Sequence, residues 1–192
     1  MHWSAKHNGY VDDNGVPLDA RRPSDTRALG IRVALFLALY AILFASWEQA
    51  RGTSLERLIV HDLTLQPAVS LVNWLTPEVG VRAIGFSMRA AGGGLNILNG
   101  CEGLDALFLL ICAFVIAPIG WRERTAGLAL GVAVVFVINQ ARILSLFYAY
   151  RSDHALFDML HASAAPILVV LLVGAYFYAW LAVSSRSSAI AA

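Results

Sequence analysis

Three short groups of polar residues interrupt an otherwise apolar chain, and their side chains could together perform acyl transfer. The groups are Asn99–Gly103, Asn139–Ile143 and Phe157–His161. The first contains the thiol of Cys101, the second the guanidinium of Arg142 and the third the imidazole of His161. A thiolate can attack a carbonyl carbon, an imidazole can transfer protons near neutral pH, and a guanidinium can stabilise an oxyanion. These three residues are the candidate catalytic set, provided that the fold brings them together.

The composition places these groups in a membrane protein. Of the 192 residues, 58% are hydrophobic and 14% are charged, and the mean hydropathy is +0.65. A soluble domain of this size could not bury so much apolar surface. The formal net charge of +1 leaves no basic excess for binding nucleic acid. Crossing a bilayer takes about 20 apolar residues, and the segments that meet this requirement are Ala28–Trp47, Leu104–Trp121, Ala126–Tyr148 and Ser163–Val183.

The positive charges set the expected orientation of these spans. Basic residues lie before the first span, between the second and third, and after the fourth, and short basic segments stay in the cytoplasm. They are Lys6, Arg21, Arg22, Arg27, Arg122, Arg124 and Arg186. We therefore expect a cytoplasmic leader over residues 1–27, one membrane-embedded domain over 28–183 and a cytoplasmic tail over 184–192. The three candidate catalytic residues then all lie near the extracytoplasmic ends of their spans.

The outer segment between the first two spans has two predicted parts. Residues 55–75 are moderately apolar but contain several charges, which predicts a helix lying at the membrane interface rather than a fifth span. Residues 79–98 combine glycines with short apolar stretches, which predicts a small extracytoplasmic β-hairpin. A loop over 149–162 is expected between the last two spans. The predicted fold is an all-α polytopic membrane protein with about four transmembrane helices, an interfacial helix and this hairpin.

Arg142 is the most informative of the three candidate residues. An arginine at the centre of a span costs about 2.5–3.5 kcal/mol on insertion scales, so it marks a functional site by default. The alternative is that its side chain snorkels to the outer headgroups. Asn139 lies three residues earlier and falls on the same helical face. Two polar groups on one face favour a cavity or a partner helix over lipid.

Cys101 and His161 each have an ordinary structural interpretation beside the catalytic one. A lone cysteine is more often a small buried hydrophobe, which is what we expect of Cys112 inside the second span. Cys101 lies near two glycines and outside the hydrocarbon, which favours a reactive thiol. Asp158 precedes His161 by three residues, so it could orient the imidazole as a general base, or it could only stabilise a helix N-terminus.

Taken in order on successive spans, the three groups resemble the exosortase/archaeosortase family of membrane cysteine transpeptidases. The family pattern is a Cys before a transmembrane helix, an Asn-x-x-Arg helix and a His before the final core helix, and it covers about residues 30–183. The short chain and its Asn-Gly-Cys sequence look most like the compact exosortase H branch. The resemblance implies that Cys101 is the nucleophile, His161 the acid/base and Arg142 the third essential residue. The supporting residues would be Asn139, Asp158, Glu102 and Asn99.

Glu102 is the main departure from the family pattern, since many members have Ser or Asn after the cysteine. A carboxylate beside a thiolate disfavours the thiolate unless it points away. The orientation of Glu102 therefore bears directly on the reactivity of Cys101.

The resemblance also implies a substrate class and a location. The substrates would be exported proteins that end in a sorting tail, made of a short motif, a transmembrane helix and a basic cluster. The enzyme would cut this tail through a thioester on Cys101 and pass the acyl group to an acceptor nucleophile, without a metal or organic cofactor. Its partners would be the tail, an unidentified acceptor and membrane lipids, with no nucleic acid. It would be a multi-pass protein of the bacterial inner membrane, with the active site at the extracytoplasmic face.

Two other functions compete with this one. A membrane metalloprotease could draw its ligands from His61, Asp62, Asp158 and His161, but the sequence has no His-Glu-x-x-His and no compact ligand set. A non-enzymatic membrane scaffold or assembly subunit would tolerate the replacement of Cys101. The metal content of the purified protein separates the first alternative, and mutation of the cysteine separates the second.

Overall fold

The structure is a computed structural model that describes residues 2–4, 9–11, 23–91, 93–97 and 100–190. The chain divides into two compact units, Met1–Leu39 and Tyr40–Ala192. In the first unit, strands β1 (His2–Ser4) and β2 (Gly9–Val11) pair antiparallel. The second unit contains all three candidate catalytic residues. Most of the predicted leader, including residues 12–22, lies outside the described residues.

The described residues are mostly helical. The remaining strands are β3 (Arg82–Ile84), β4 (Ser87–Ala90) and β5 (Gly93–Asn96). The helices are α1 (Pro23–Ala50), α2 (Ser54–Glu56), α3 (Gln66–Leu75), α4 (Leu104–Ile116), α5 (Trp121–Ser152), α6 (His154–Met159) and α7 (Ala165–Ile190). Two π-helical segments, Arg57–Leu65 and Leu160–Ala164, and a 3₁₀ turn, Pro77–Val79, complete the elements.

Three helical segments within the described residues are long and apolar enough to cross a membrane. They are Thr26–Ala50, Trp121–Ser152 and His154–Ser184, which correspond to the first, third and fourth predicted spans. The second predicted span is shorter than expected, because α4 ends at Ile116 and extends only about 20 Å at 1.5 Å per residue. Ala117 is extended, with ψ 137°, as expected for a residue that precedes a proline, here Pro118.

The predicted outer loop over 149–162 is wrong in its extent. Helix α5 continues to Ser152, and one residue, Asp153, separates it from α6. The Asp153 carboxylate caps the new helix by accepting hydrogen bonds from the backbone N–H groups of Ala155 (2.8 Å) and Leu156 (3.3 Å). Charged and polar residues lower the hydropathy here, but the backbone stays helical on both sides of Asp153. The polar stretch is therefore two helix ends joined by one residue.

The segment over residues 54–75 is helical, as predicted, and contributes to the core. One face, which includes Val60, Leu65 and Val72, is buried, whereas Leu63 and Trp74 are exposed. Within the described residues, this segment is not one of the helices long and apolar enough to cross a membrane. Its predicted position at the interface stays a prediction.

The predicted hairpin is a three-stranded antiparallel sheet in the order β3-β4-β5. Its side chains alternate: Met88 and Leu95 are buried, whereas Arg82 and Arg89, which face each other across β3 and β4, are exposed. The third strand runs through Gly94, where a Cβ atom would collide with the carbonyl of Met88. The glycines that marked a turn in the sequence thus allow two strands to approach closely.

Glycines on α5 also allow close helix packing. A Cβ atom at Gly127 would lie 2.5 Å from a ring carbon of Phe114 and 2.6 Å from Nε1 of Trp180. The hydroxyl of Tyr176 donates a 2.6 Å hydrogen bond to the Gly127 carbonyl. The Gly127-x-x-x-Gly131 spacing therefore lets α4 and α7 contact the backbone of α5.

We expect the Gly127→Ala variant to be destabilised by about 1–3 kcal/mol, because Phe114 is fully buried and has no room to move. Gly174→Ala on α7 is the matched control, since no atom lies within 4 Å of its Cβ position and alanine favours a helix. The measurement is the thermal unfolding midpoint of each variant in detergent. Equal midpoints for the two variants would contradict the packing role of Gly127.

Candidate active site

The thiol of Cys101 lies in a short loop that leads into α4. Two glycines, Gly100 (φ +85°) and Gly103 (φ +81°), place the loop backbone in the left-handed region that glycine tolerates best. The Cys101 residue is 4% exposed. The loop therefore holds the thiol directly before the N-terminus of a helix rather than within it.

Helix α5 fixes this loop through two side-chain hydrogen bonds to backbone carbonyls. Asn139 Nδ2 donates to the carbonyl of Cys101 at 3.1 Å, and Arg142 Nη1 donates to the carbonyl of Gly100 at 2.8 Å. Asn139 is 3% exposed, and Arg142 is half-buried. Both residues of the Asn-x-x-Arg pair thus point at the cysteine loop, and neither extends alone into lipid.

Gln140, between these two residues, anchors the other side of α5. Its Nε2 donates a buried 3.2 Å hydrogen bond to the carbonyl of Thr64 in the first π-helical segment. No sequence pattern indicates this role for Gln140, because the partner carbonyl is 76 residues away. The polar cluster of α5 therefore contacts two separate parts of the chain.

Gly103 is required by the approach of Asn139 as well as by its own backbone angle. A Cβ atom here would lie 2.8 Å from Cγ and 3.1 Å from Nδ2 of Asn139. Any side chain at this position would push Asn139 away from the Cys101 carbonyl.

We expect Gly103→Ala to lose most of the activity of the site, because it displaces the loop that carries Cys101. Gly52→Ala is the control: Gly52 has a similar φ of +77°, but nothing lies within 4 Å of its Cβ position. That variant reports the backbone strain alone, which we expect to cost roughly 1–2 kcal/mol of stability. Activity per folded molecule, measured for both variants, separates the two effects. Equal loss in both would mean that contact with Asn139 is unimportant.

His161 is positioned by an aromatic ring rather than by the predicted carboxylate. Its imidazole stacks on Phe157 with ring centroids 5.4 Å apart and an interplanar angle of 5°. Phe157 in turn contacts Tyr150 edge to face at 5.4 Å. No hydrogen bond or ion pair joins Asp158 and His161 among the residues that the structure describes, and both residues are exposed.

The physical reason is a change in helix type at this point. His161 lies in the π-helical segment Leu160–Ala164, whose wider turn bonds residues five apart. The predicted pairing of Asp158 with His161 assumed α-helical spacing, in which residues three apart share a face. The wider turn favours the pair four apart, Phe157 and His161.

The three candidate catalytic residues line one cavity of about 310 Å³ beside the N-terminus of α4. Cys101 comes from the loop, Arg142 from α5 and His161 from the second π-helical segment. Apolar residues of α7, including Val169, complete the wall. A second, mostly apolar cavity of about 280 Å³ between α5 and α7 also includes Arg142 and Val169.

Asp105 lines the same cavity and was missed from the sequence. It lies in the first turn of α4, where the helix dipole favours a carboxylate. Its position four residues after Cys101 was the available indication, since that spacing keeps both near one helical end. The cavity therefore holds a thiol, a guanidinium, an imidazole and a carboxylate.

The other predicted supporting residues are Glu102 and Asn99, and Cys112 is the control cysteine. Glu102 does not line the cavity, and its Oε1 accepts a 3.1 Å hydrogen bond from the indole N–H of Trp47. Asn99 lies outside the described residues. Cys112 is completely buried in α4, as expected of a packing residue.

His61 and Asp62, the ligands considered for a metalloprotease, bond to each other. Nδ1 of His61 lies 2.8 Å from Oδ1 of Asp62 in the first π-helical segment, and neither residue lines the Cys101 cavity. Within the described part of the chain, no group of three or more His, Cys, Asp or Glu side chains is arranged to hold a metal ion.

Comparison with known proteins gives one distant similarity. The chain is 25% identical to archaeosortase A of Natronomonas pharaonis over 133 residues, which is 66% of this chain and 41% of that protein. The match thus spans about two fifths of the length of the curated relative. No protein-family model and no solved structure matches the chain. The similarity agrees with the family resemblance of the three polar groups, and the exosortase H branch stays a prediction.

Proposed function

We propose that this protein is a membrane-embedded cysteine transpeptidase of the exosortase/archaeosortase type. The observation that carries the proposal is the single cavity lined by Cys101, Arg142 and His161. The three long apolar helices and the distant similarity to an archaeosortase support the same class. Within this class, we propose the compact exosortase H branch, whose Asn-Gly-Cys sequence this chain resembles.

In the proposed reaction, the Cys101 thiol gives its proton to His161, and the resulting thiolate attacks the scissile carbonyl carbon and forms a tetrahedral intermediate. Its collapse breaks the C–N bond, His161 donates a proton to the leaving amine, and a thioester with Cys101 is left. The acceptor nucleophile then gives its proton to His161 and attacks the thioester. Collapse of this second intermediate breaks the C–S bond, and His161 returns the proton to the leaving thiolate, which restores the thiol. Arg142 stabilises both oxyanions with the guanidinium hydrogens that do not bond to Gly100. These steps use neither a metal nor an organic cofactor.

The proposed substrates are exported proteins whose C-terminal sorting tail combines a short motif, a transmembrane helix and a basic cluster. A membrane enzyme meets such a tail within the bilayer, where lipids surround both partners. The acceptor is a nucleophile at the outer face of the bacterial inner membrane.

A reporter protein with such a tail tests the proposed function. Co-expressed with the chain, the reporter should be shortened at the tail, and brief treatment with hydroxylamine should release it from a covalent adduct with Cys101. Uncleaved reporter in the presence of well-expressed protein, for every tail found in the same genome, would refute the proposal.

The proposed orientation places both termini in the cytoplasm and the site outside. Reporter fusions after residue 60 and after residue 152 are therefore expected to read as external. A fusion after residue 119, in the segment between α4 and α5, is the control and should read as cytoplasmic. A cytoplasmic reading at residue 60 or 152 would contradict the proposed face of the active site.

A further inference from the structure

Trp47 is the one buried residue of α1 between Tyr40 and Ala50. Its side chain is 6% exposed and belongs to the same hydrophobic cluster as Cys101. The neighbouring side chains of this stretch are exposed or half-buried. Trp47 is therefore the most deeply buried contact of this end of α1 with the core, where Tyr40, Leu43 and Ala50 also pack.

The polar atom of this ring bonds to the residue that follows the candidate nucleophile. Nε1 of Trp47 donates a 3.1 Å hydrogen bond to Oε1 of Glu102. A buried indole N–H needs an acceptor, and a carboxylate forms a stronger hydrogen bond than a neutral oxygen. The bond gives Glu102 a fixed partner outside the Cys101 cavity.

The location of the Glu102 carboxylate matters because the neighbouring Cys101 thiol must ionise to react. The charged or titratable groups that line the cavity with Cys101 are Asp105 of α4, Arg142 of α5 and His161 of the second π-helical segment. One carboxylate, Asp105, already lines the cavity that Cys101 lines. A second carboxylate in the cavity would oppose the thiolate by like-charge repulsion and offset the attraction of Arg142.

We propose that Trp47 is a positioning residue that holds the Glu102 carboxylate out of the Cys101 cavity and so keeps the thiol reactive. This inference rests on the proposed nucleophilic role of Cys101. Trp47 acts through Glu102 and touches no reacting atom. A chain with a neutral residue at position 102 would have no need of the indole N–H.

The test measures the reactivity of the thiol itself. Cys112→Ala provides the background, because it leaves Cys101 as the only thiol of the chain. In this background, Trp47→Phe keeps a large aromatic ring but removes the N–H, and Glu102→Gln removes the charge. The rate of alkylation by iodoacetamide is followed against pH for the full-length protein in detergent, for each variant and for the double variant.

We expect Trp47→Phe to move the midpoint of the alkylation profile upward by about one pH unit, which is about tenfold slower alkylation below the midpoint. The double variant should return to the profile of Glu102→Gln. An unchanged or downward-shifted profile in Trp47→Phe would overturn the proposal. So would a slow rate that persists in the double variant, because the tryptophan would then act by packing alone.

Alkylation needs no sorting tail and no acceptor, so this test is independent of the transpeptidase activity. If the unmodified protein fails to cleave the reporter but the variants show the expected alkylation shifts, the proposed function is refuted and the role of Trp47 stands. If the unmodified protein cleaves the reporter but Glu102→Gln does not reverse the alkylation shift of Trp47→Phe, only the role of Trp47 is refuted.

Discussion

Replacing Cys101 by alanine is expected to abolish cleavage of a tail-bearing reporter, by on the order of 10⁴-fold or more. The variant removes one sulfur atom from a buried position, and alanine fits the space that remains. The loop should keep its shape, since Asn139 and Arg142 hold it through the backbone carbonyls of Cys101 and Gly100, which the substitution leaves in place. The measurement is the initial rate of reporter cleavage at matched expression.

Cys112→Ala is the matched control for this variant. It makes the same chemical change eleven residues later, in a completely buried part of α4 that does not line the cavity. We expect near-normal cleavage and a modest loss of stability, about 1 kcal/mol. Normal cleavage by Cys101→Ala, or equal loss in both variants, would remove Cys101 from the mechanism.

The second large effect is expected for Arg142→Lys, which keeps the positive charge and should still lose roughly 10²–10³-fold in kcat. Arg142 has two proposed tasks, since one amino group holds the Gly100 carbonyl and the residue also lines the cavity. A lysine ammonium is a single compact donor and cannot reproduce the planar fork. The cysteine loop and the oxyanion would then compete for one group.

Arg151→Lys is the control on the same helix. Nη1 of Arg151 also donates a 2.8 Å hydrogen bond to a backbone carbonyl, that of Ala91, but the residue does not line the cavity. We expect its kcat and KM to stay close to those of the unmodified protein. A kcat for Arg142→Lys within threefold of that of Arg151→Lys would show that charge alone is enough.

The features of the site that were predictable from sequence are local ones. The three-residue spacing of Asn139 and Arg142 follows from the α-helical repeat, so their common direction toward one partner could be predicted. The pairing of Asp158 with His161 was less predictable, because the π-helical turn at His161 changes the helical repeat and no residue type in the sequence indicates such a turn. The bond between Trp47 and Glu102 joins residues 55 positions apart, and nothing local to either indicates the other.

The fold shows the same division. Hydropathy located the three long apolar helices, but it measures the preference for lipid and not the continuity of a helix. It therefore continued the second span past Pro118, where the backbone becomes extended, and ended the third before α5 does. The third strand of the sheet was missed because Gly93 and Gly94 are typical of turns. In the structure, strand pairing requires the absence of a side chain at Gly94.

The short length of α4 has a consequence for the fate of the proposed thioester. If α4 is the second predicted span, its length of about 20 Å does not match an apolar layer of about 30 Å, so either the bilayer thins around α4 or the loop of Cys101 lies below the headgroups. In the second arrangement the proposed acyl group is held where water is scarce. Hydrolysis, the side reaction of every acyl enzyme, is then slowed relative to attack by an acceptor that reaches the site along the membrane. The same mismatch makes the balance between transfer and hydrolysis sensitive to lipid chain length.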